Sequence, residues 1–180
     1  MLKEYQNRFL DSEVPACAPE KARFHVIPVP YEATVSYAGG TANGPEAILD
    51  ASDQLELYDG ISFPGEGGIF THEPVDCSGE AEDVMDRVRR AVLAALDCKA
   101  VPVVLGGEHS LTYGVMAALK ETLMDINTLP RDNPDHFFLP LARFFDRADL
   151  RRHEMDIFMG ICRQMARLSA LADEKKKSGE

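Results

Sequence analysis

Positive charge is scarce in this 180-residue chain, with 19 Lys and Arg against 30 Asp and Glu and a formal net charge of -11. Such a surplus repels phosphate backbones and anionic lipid, so the expectation is no nucleic acid and no membrane surface among the partners. A cationic substrate or a divalent metal suits it better. Cysteine is sparse and scattered: Cys17, Cys77, Cys98 and Cys162 form no Cys-x-x-Cys pair, which excludes a zinc knuckle or a dithiol redox motif and leaves buried, reduced thiols as the expectation. No apolar run approaches the ~20 residues of a membrane helix, and Met1 to Asn7 has no apolar core of signal-peptide length, so a cytoplasmic chain is expected. Also missing are a Gly-x-Ser-x-Gly nucleophile elbow, a Gly-Lys-Ser or Gly-x-Gly-x-x-Gly phosphate loop, and any internal repeat.

What is present is enough apolar material, 45% of residues, for one core and one domain. Phe24 to Pro30 reads as a first strand whose two prolines place its end in a loop. Tyr31 to Pro45 is a Gly- and Thr-rich loop leading to a helix towards Leu57, with Ile48, Ala51, Leu55 and Tyr58 at helical spacing. Gly68 to Phe70 with Pro74 and Val75 reads as a short strand. From Ala81 to Lys99, Val84, Val88, Val92 and Leu96 recur every four residues between charges, the pattern of an amphipathic helix. Strand, helix, strand is the βαβ signature of a parallel sheet, followed by a further helix over Leu111 to Leu123. Pro130, Pro134 and Pro140 are expected to break any long element beyond Asp125, before a last helix around Arg163 to Leu168 and a solvated tail. His25 is expected in the core or at an edge, and His72 and His153 at the surface.

Gly106-Gly107-Glu108-His109-Ser110-Leu111-Thr112 directly follows the apolar run Val101 to Leu105, which reads as a fully buried strand. The glycine pair lets the backbone turn, placing His109 where a parallel strand stops, the position at which open α/β sheets bind ligands. A neutral imidazole there serves as a metal ligand or a base, with Glu108 to orient it. The competing reading is a hydrogen-bonded histidine that begins a helix at Ser110.

Several stretches in order resemble the ureohydrolase family of arginases and agmatinases, and agmatinase most of all. They are Val29-Pro30-Tyr31-Glu32-Ala33-Thr34-Val35-Ser36-Tyr37, Gly40-Thr41, Gly44-Pro45-x-Ala47-Ile48, Leu55-Glu56-x-Tyr58-Asp59, and Gly106 to Thr112. The resemblance covers roughly residues 24 to 118. It implies an α/β fold, a three-layer parallel sheet of arginase-like type, here incomplete at the C-terminal side. Residues 1–124 would form the ureohydrolase-like N-terminal half and 125–180 a divergent C-terminal segment of the same domain. It further implies two Mn2+ ions bridged by a water that attacks a guanidinium carbon, the cations lowering that water's pKa and stabilising the tetrahedral intermediate. The substrate implied is a small guanidino compound such as agmatine, hydrolysed to putrescine and urea, in a chain that can form a homo-oligomer. By this resemblance His109 is a manganese ligand.

The family's later motifs, Asp-Ala-His-x-Asp and Ser-x-Asp-x-Asp-x-x-Asp, do not occur intact, and no Asp-x-Asp pair exists anywhere in the chain. The nearest counterpart of the first is Phe145-Asp146-Arg147-Ala148-Asp149, which names Asp146 and Asp149 as the remaining metal candidates, although Arg147 places a cation beside them. The alternative is a surface charge cluster on a helix. A single site at His109, with Asp146 or His136, is a further arrangement. Two functions follow: an agmatinase-like ureohydrolase, or a catalytically inactive remnant that serves as a binding or oligomerisation module.

Overall fold

The computed structural model describes residues 2–126 and 128–147. The first of its two compact units, residues 1–118, is built on a three-stranded parallel sheet of order β2-β1-β3, comprising β1 (Phe24–Val29), β2 (Ile69–Thr71) and β3 (Val101–Gly106). Phe24 pairs with both Ile69 and Val101, and the β1–β3 register runs on to Val29 opposite Gly106. Successive β1 side chains serve opposite faces. Val26 joins Leu10, Val14, Leu49 and Ile69, whereas Ile27 and Val29 join the helix α2 (Ala81–Asp97) through Val84, Val88 and Val92. Each fully buried aliphatic side chain contributes roughly 1.5–3 kcal/mol. Helices therefore cover both faces of the sheet, the layered α/β arrangement expected from the sequence.

Pro28 sits inside the middle strand without costing a ladder bond. The carbonyls of Val26 and Pro28 accept from the His72 and Val75 N–H groups, so the even-numbered residues of β1 face the β2 side. β2 has already ended at Thr71 by the level of Pro28, so its missing N–H has no strand partner to fail. The same logic holds for Pro102, since Val101 and Gly107 donate to β1 and the even positions of β3 face the outer edge.

β3 departs from the fully buried strand expected. Its residues are only half-buried and Val103 is 37% exposed, because β3 is the edge of the described sheet and not its centre. The first helix, α1 (Gly44–Ser52), also differs. It ends at Ser52 and buries Pro45, Leu49 and Ser52, while Ile48, Ala51, Leu55 and Tyr58 face outward. Two apolar registers compete in this stretch, and Ser52 settles the matter by accepting the Leu10 N–H at 2.8 Å and donating to the Leu49 carbonyl, a use of the inner face that hydropathy cannot show. Cys17, Cys77 and Cys98 are free thiols, half-buried and not buried.

α2 carries Glu82 and Asp83 in its first turn, where acidic side chains complement the exposed N–H groups. Asp86 is bound by Arg89 and Arg90, whose guanidinium groups hold its carboxyl below the usual range. Lys99, at φ 61°, closes the helix in the left-handed region and returns the chain to β3. α3 (Thr112–Asp125) begins in the first unit and passes the unit boundary after Ala118.

The second unit begins at Leu119 and includes α4 (Pro134–Arg147). The prolines do not break this helix as expected. Pro134 opens it, where a missing N–H is harmless, and the chain tolerates Pro140 inside it at the loss of a single backbone bond. Lys120 pairs with Asp135 at 2.6 Å, and Phe138 is buried. The expected helix near 163–168, His153, Cys162 and the charged tail lie outside the described residues. Among the described residues no helix is long and apolar enough to cross a membrane.

Candidate functional site

At the carboxyl ends of β1 and β3 the two strands keep hydrogen bonding as they become loops. Gly107 N–H donates to the Val29 carbonyl at 3.0 Å and Glu108 N–H to the Tyr31 carbonyl at 3.0 Å. The glycine pair gives the chain room at this turn through the absence of a Cβ and not through a left-handed backbone, since neither residue has a positive φ. A Cβ on Gly107 would lie 2.1 Å from the Tyr31 carbonyl oxygen, and one on Gly106 2.2 Å from Leu111 Cδ2. At Gly107 the backbones meet so closely that a side chain is excluded, whereas at Gly106 the obstacle is the Leu111 side chain.

Glu108 is buried and its carboxylate is committed to the loop that follows β1. It accepts the Ala33 N–H at 2.9 Å, the Thr34 N–H at 2.7 Å, the Thr34 hydroxyl at 2.7 Å and the Ser110 hydroxyl. The Ser110 hydroxyl, then the Thr34 N–H and hydroxyl, pull its pKa down to about 2. A second carboxylate repeats the device. Glu32 accepts the Gly40 N–H, the Thr41 hydroxyl and the Ala42 N–H at 2.8 to 2.9 Å, and these donors, Ala42 first, lower its pKa as well. Residues 31–42 are therefore tied at both ends, leaving Val35 and Tyr37 exposed on the intervening span.

His109 opens a single helical turn, His109–Leu111, ahead of α3, and its imidazole is exposed beside this loop. The residue begins a helical turn and presents an accessible ring at a strand end. Glu108 does not orient it. With its oxygens occupied by four donors, Glu108 serves the loop. Asp146 lies in the last turn of α4, in the second unit, and Asp149 lies outside the described residues. Among the described residues no group of three His, Cys, Asp or Glu side chains converges as a metal site would require. His109 offers an exposed imidazole, but the described residues do not build a two-ion centre, and Glu108 cannot be spared as a donor. The carboxylate clamps on the loop were not foreseen. Glu108 stands 74 to 75 residues from its donors in the loop, and only the motif Glu-His-Ser-Leu-Thr pointed towards the place.

An arginase-like layered α/β sheet with an exposed histidine at a strand end defines the class. The Arginase family model matches residues 22–132, more than half of the chain, and the chain belongs to the arginase family. It is 40% identical over 121 residues to an N(1)-aminopropylagmatine ureohydrolase of Synechocystis sp., covering 63% of this chain and 39% of that protein. An agmatinase of Pyrococcus horikoshii is 26% identical over 166 residues, 87% of this chain and 56% of that one. The crystal structure of agmatine ureohydrolase of Thermoplasma volcanium superposes with a TM-score of 0.55 at 28% identity, over 66% of this chain and 39% of that chain. This chain thus spans about two fifths of the length of the first two curated relatives it matches. The C-terminal domain of tRNA methyltransferase TrmJ also matches, over residues 113–177. The arginase-family match ends before Asp146 and Asp149.

Proposed function

We propose that this chain is part of a manganese-dependent ureohydrolase acting on a guanidino polyamine, with His109 as its first metal ligand and the loop 31–42 as one wall of the substrate site. The observation that carries this reading is the exposed His109 ring at the carboxyl end of β3, beside a loop that two carboxylates hold in place. Manganese, when bound, would supply an activated water. The chain's own residues supply rigidity: Glu108 and Glu32 accept from four backbone N–H groups of the loop and from the Thr34 and Thr41 hydroxyls, which would otherwise need water, so the loop meets a substrate already ordered. An acidic surface of net charge -11 favours a substrate with amine groups at its ends.

The relatives named for aminopropylagmatine share 31–40% identity with this chain, against 26% for those named agmatinase, which favours the aminopropyl derivative over agmatine itself. Urea release from both compounds by the manganese-loaded protein tests the reading, and the expected result is urea from both, faster from the longer one. No urea from either, with the fold intact, would leave the second reading: a binding or oligomerisation module. That reading draws on the lack of a converged ligand group among the described residues. Self-association is proposed in either case, since β3 is a sheet edge and Ile61 is 91% exposed, and sedimentation equilibrium reads it directly.

A further inference from the structure

Two histidines that the proposed function leaves unused lie hydrogen-bonded to each other inside the first unit. His25 in β1 is fully buried and His72, just past β2, is 5% exposed, contrary to its expected place at the surface. Their rings are 4.9 Å apart, edge to face, and Phe70 packs against both. His25 Nε2 lies 2.9 Å from the Pro19 carbonyl oxygen, and His72 Nε2 lies 3.0 Å from His25 Nδ1. A carbonyl only accepts, so His25 must carry its proton on Nε2, which makes Nδ1 the acceptor and His72 Nε2 the donor. Both rings are thereby assigned as neutral Nε2–H tautomers.

The pair stands between the two ends of the N-terminal segment. At one end, Glu4 bridges to His72, with the Tyr5 N–H donating to the Thr71 carbonyl at 2.8 Å and the Glu73 N–H to the Lys3 carbonyl at 3.2 Å. At the other, the Pro19 carbonyl is held by His25. Between them the segment grips α1 through Asn7 to Asp50, the Leu10 N–H to Ser52 and the Ser12 N–H to Asp53. We propose that the His25–His72 pair is a proton-operated latch, whose second protonation releases residues 3–14 from β2 and α1 while the three-stranded sheet stays paired.

The first proton is accommodated by a tautomer shift. If His25 gains a proton on Nδ1, His72 can move its own to Nδ1 and accept at Nε2. A second proton leaves two N–H groups facing each other and two cations in an apolar pocket. Burial holds both rings below the usual histidine range, and His72, opposed also by His25, is lowered to about 4. The charges facing the pair are Glu20 on the 18–22 turn, which favours a charged His25, Glu4 across the bridge from His72, and the exposed Lys3–Glu73 ion pair at 3.7 Å beside it. The sign follows from linkage. Both native pKa values lie below the unfolded value of 6.5, so docking is at full strength above pH 6.5 and weakens as pH falls towards 4.

Amide hydrogen exchange on the full chain, corrected for the intrinsic pH dependence of exchange, tests this. The opening of Tyr5, Phe9 and Leu10 should grow by about tenfold per pH unit for each proton taken up on release, between pH 6.5 and 4, while Val101 and Gly107 keep their protection. His72→Gln retains an N–H donor towards His25 without a titrating ring, and there the N-terminal opening should lose most of this slope. An unchanged slope in that variant, or sheet amides opening at the same midpoint as Tyr5, overturns the latch. Should the variant not fold, the imidazole nitrogen shifts of the wild-type chain decide the matter. Two neutral Nε2–H rings at pH 7, both protonated as Tyr5 opens, support the latch, and any other tautomer or an opening without protonation contradicts it.

Discussion

Glu108 shows how one side chain converts a loop into a surface. Four donors converge on its carboxylate, and three of them are groups that the loop would otherwise present to water. Glu108→Gln replaces one acceptor oxygen by a donor that faces N–H groups. The expected outcome is that the Ala33 and Thr34 amides exchange at least about tenfold faster while the sheet amides are unchanged, read by hydrogen exchange. The pH sign is that of a depressed acid. Its contribution is present above the ordinary glutamate value of 4.5 and is lost as pH falls towards about 2, so loop protection should fade over that window in the wild type and not in the glutamine variant. Gly107→Ala drives a methyl to 2.1 Å from a backbone oxygen that cannot step aside. A loss of about 1–3 kcal/mol in chemical denaturation is expected, in line with overpacking at a closed site. The motif Gly-Gly-Glu-His marked this place in the sequence, but the cause of its glycines did not show there. The clash partner, Tyr31, lies in the loop that follows β1, 76 residues earlier in the chain, and sequence neighbours carry no information on such a contact.

Elements were legible where one periodicity dominated. α2 places Val84, Val88 and Val92 at a four-residue spacing with charges between, and those three are buried as the pattern required. α1 departs from the expected register because two of its registers are apolar and a serine decides between them. β3 looked like a central strand because its composition is that of one, although strand order depends on partners that composition does not name. Close approach also governs the contact between α2 and α3, where a Cβ on Gly114 would meet the Met85 carbonyl oxygen at 2.6 Å and Val88 Cβ at 3.0 Å. Helix propensity alone makes Gly→Ala favourable by about 1 kcal/mol. The clash with a backbone oxygen outweighs it, so Gly114→Ala should lower the thermal midpoint, and a raised midpoint in calorimetry would show that the helices move apart freely.

For the whole chain, family and activity rest on different footing. The arginase-family match and the layered parallel sheet cover the stretch that carries His109 and the clamped loop, while the chain spans about two fifths of the first curated relatives. The sequence announced this division, since its resemblances cluster before residue 118 and the family's aspartate-rich motifs are not found intact beyond. A metal site needs donors brought together from several strand ends, so one intact motif reveals one ligand and cannot reveal the rest. The central claim is therefore that His109 binds manganese, and the most direct measurement is the manganese content of the loaded, desalted protein beside that of His109→Ala. Manganese retained by the wild type and lost from the variant, with unchanged circular dichroism, is the predicted result. Equal manganese in both, or none in the wild type, would contradict it.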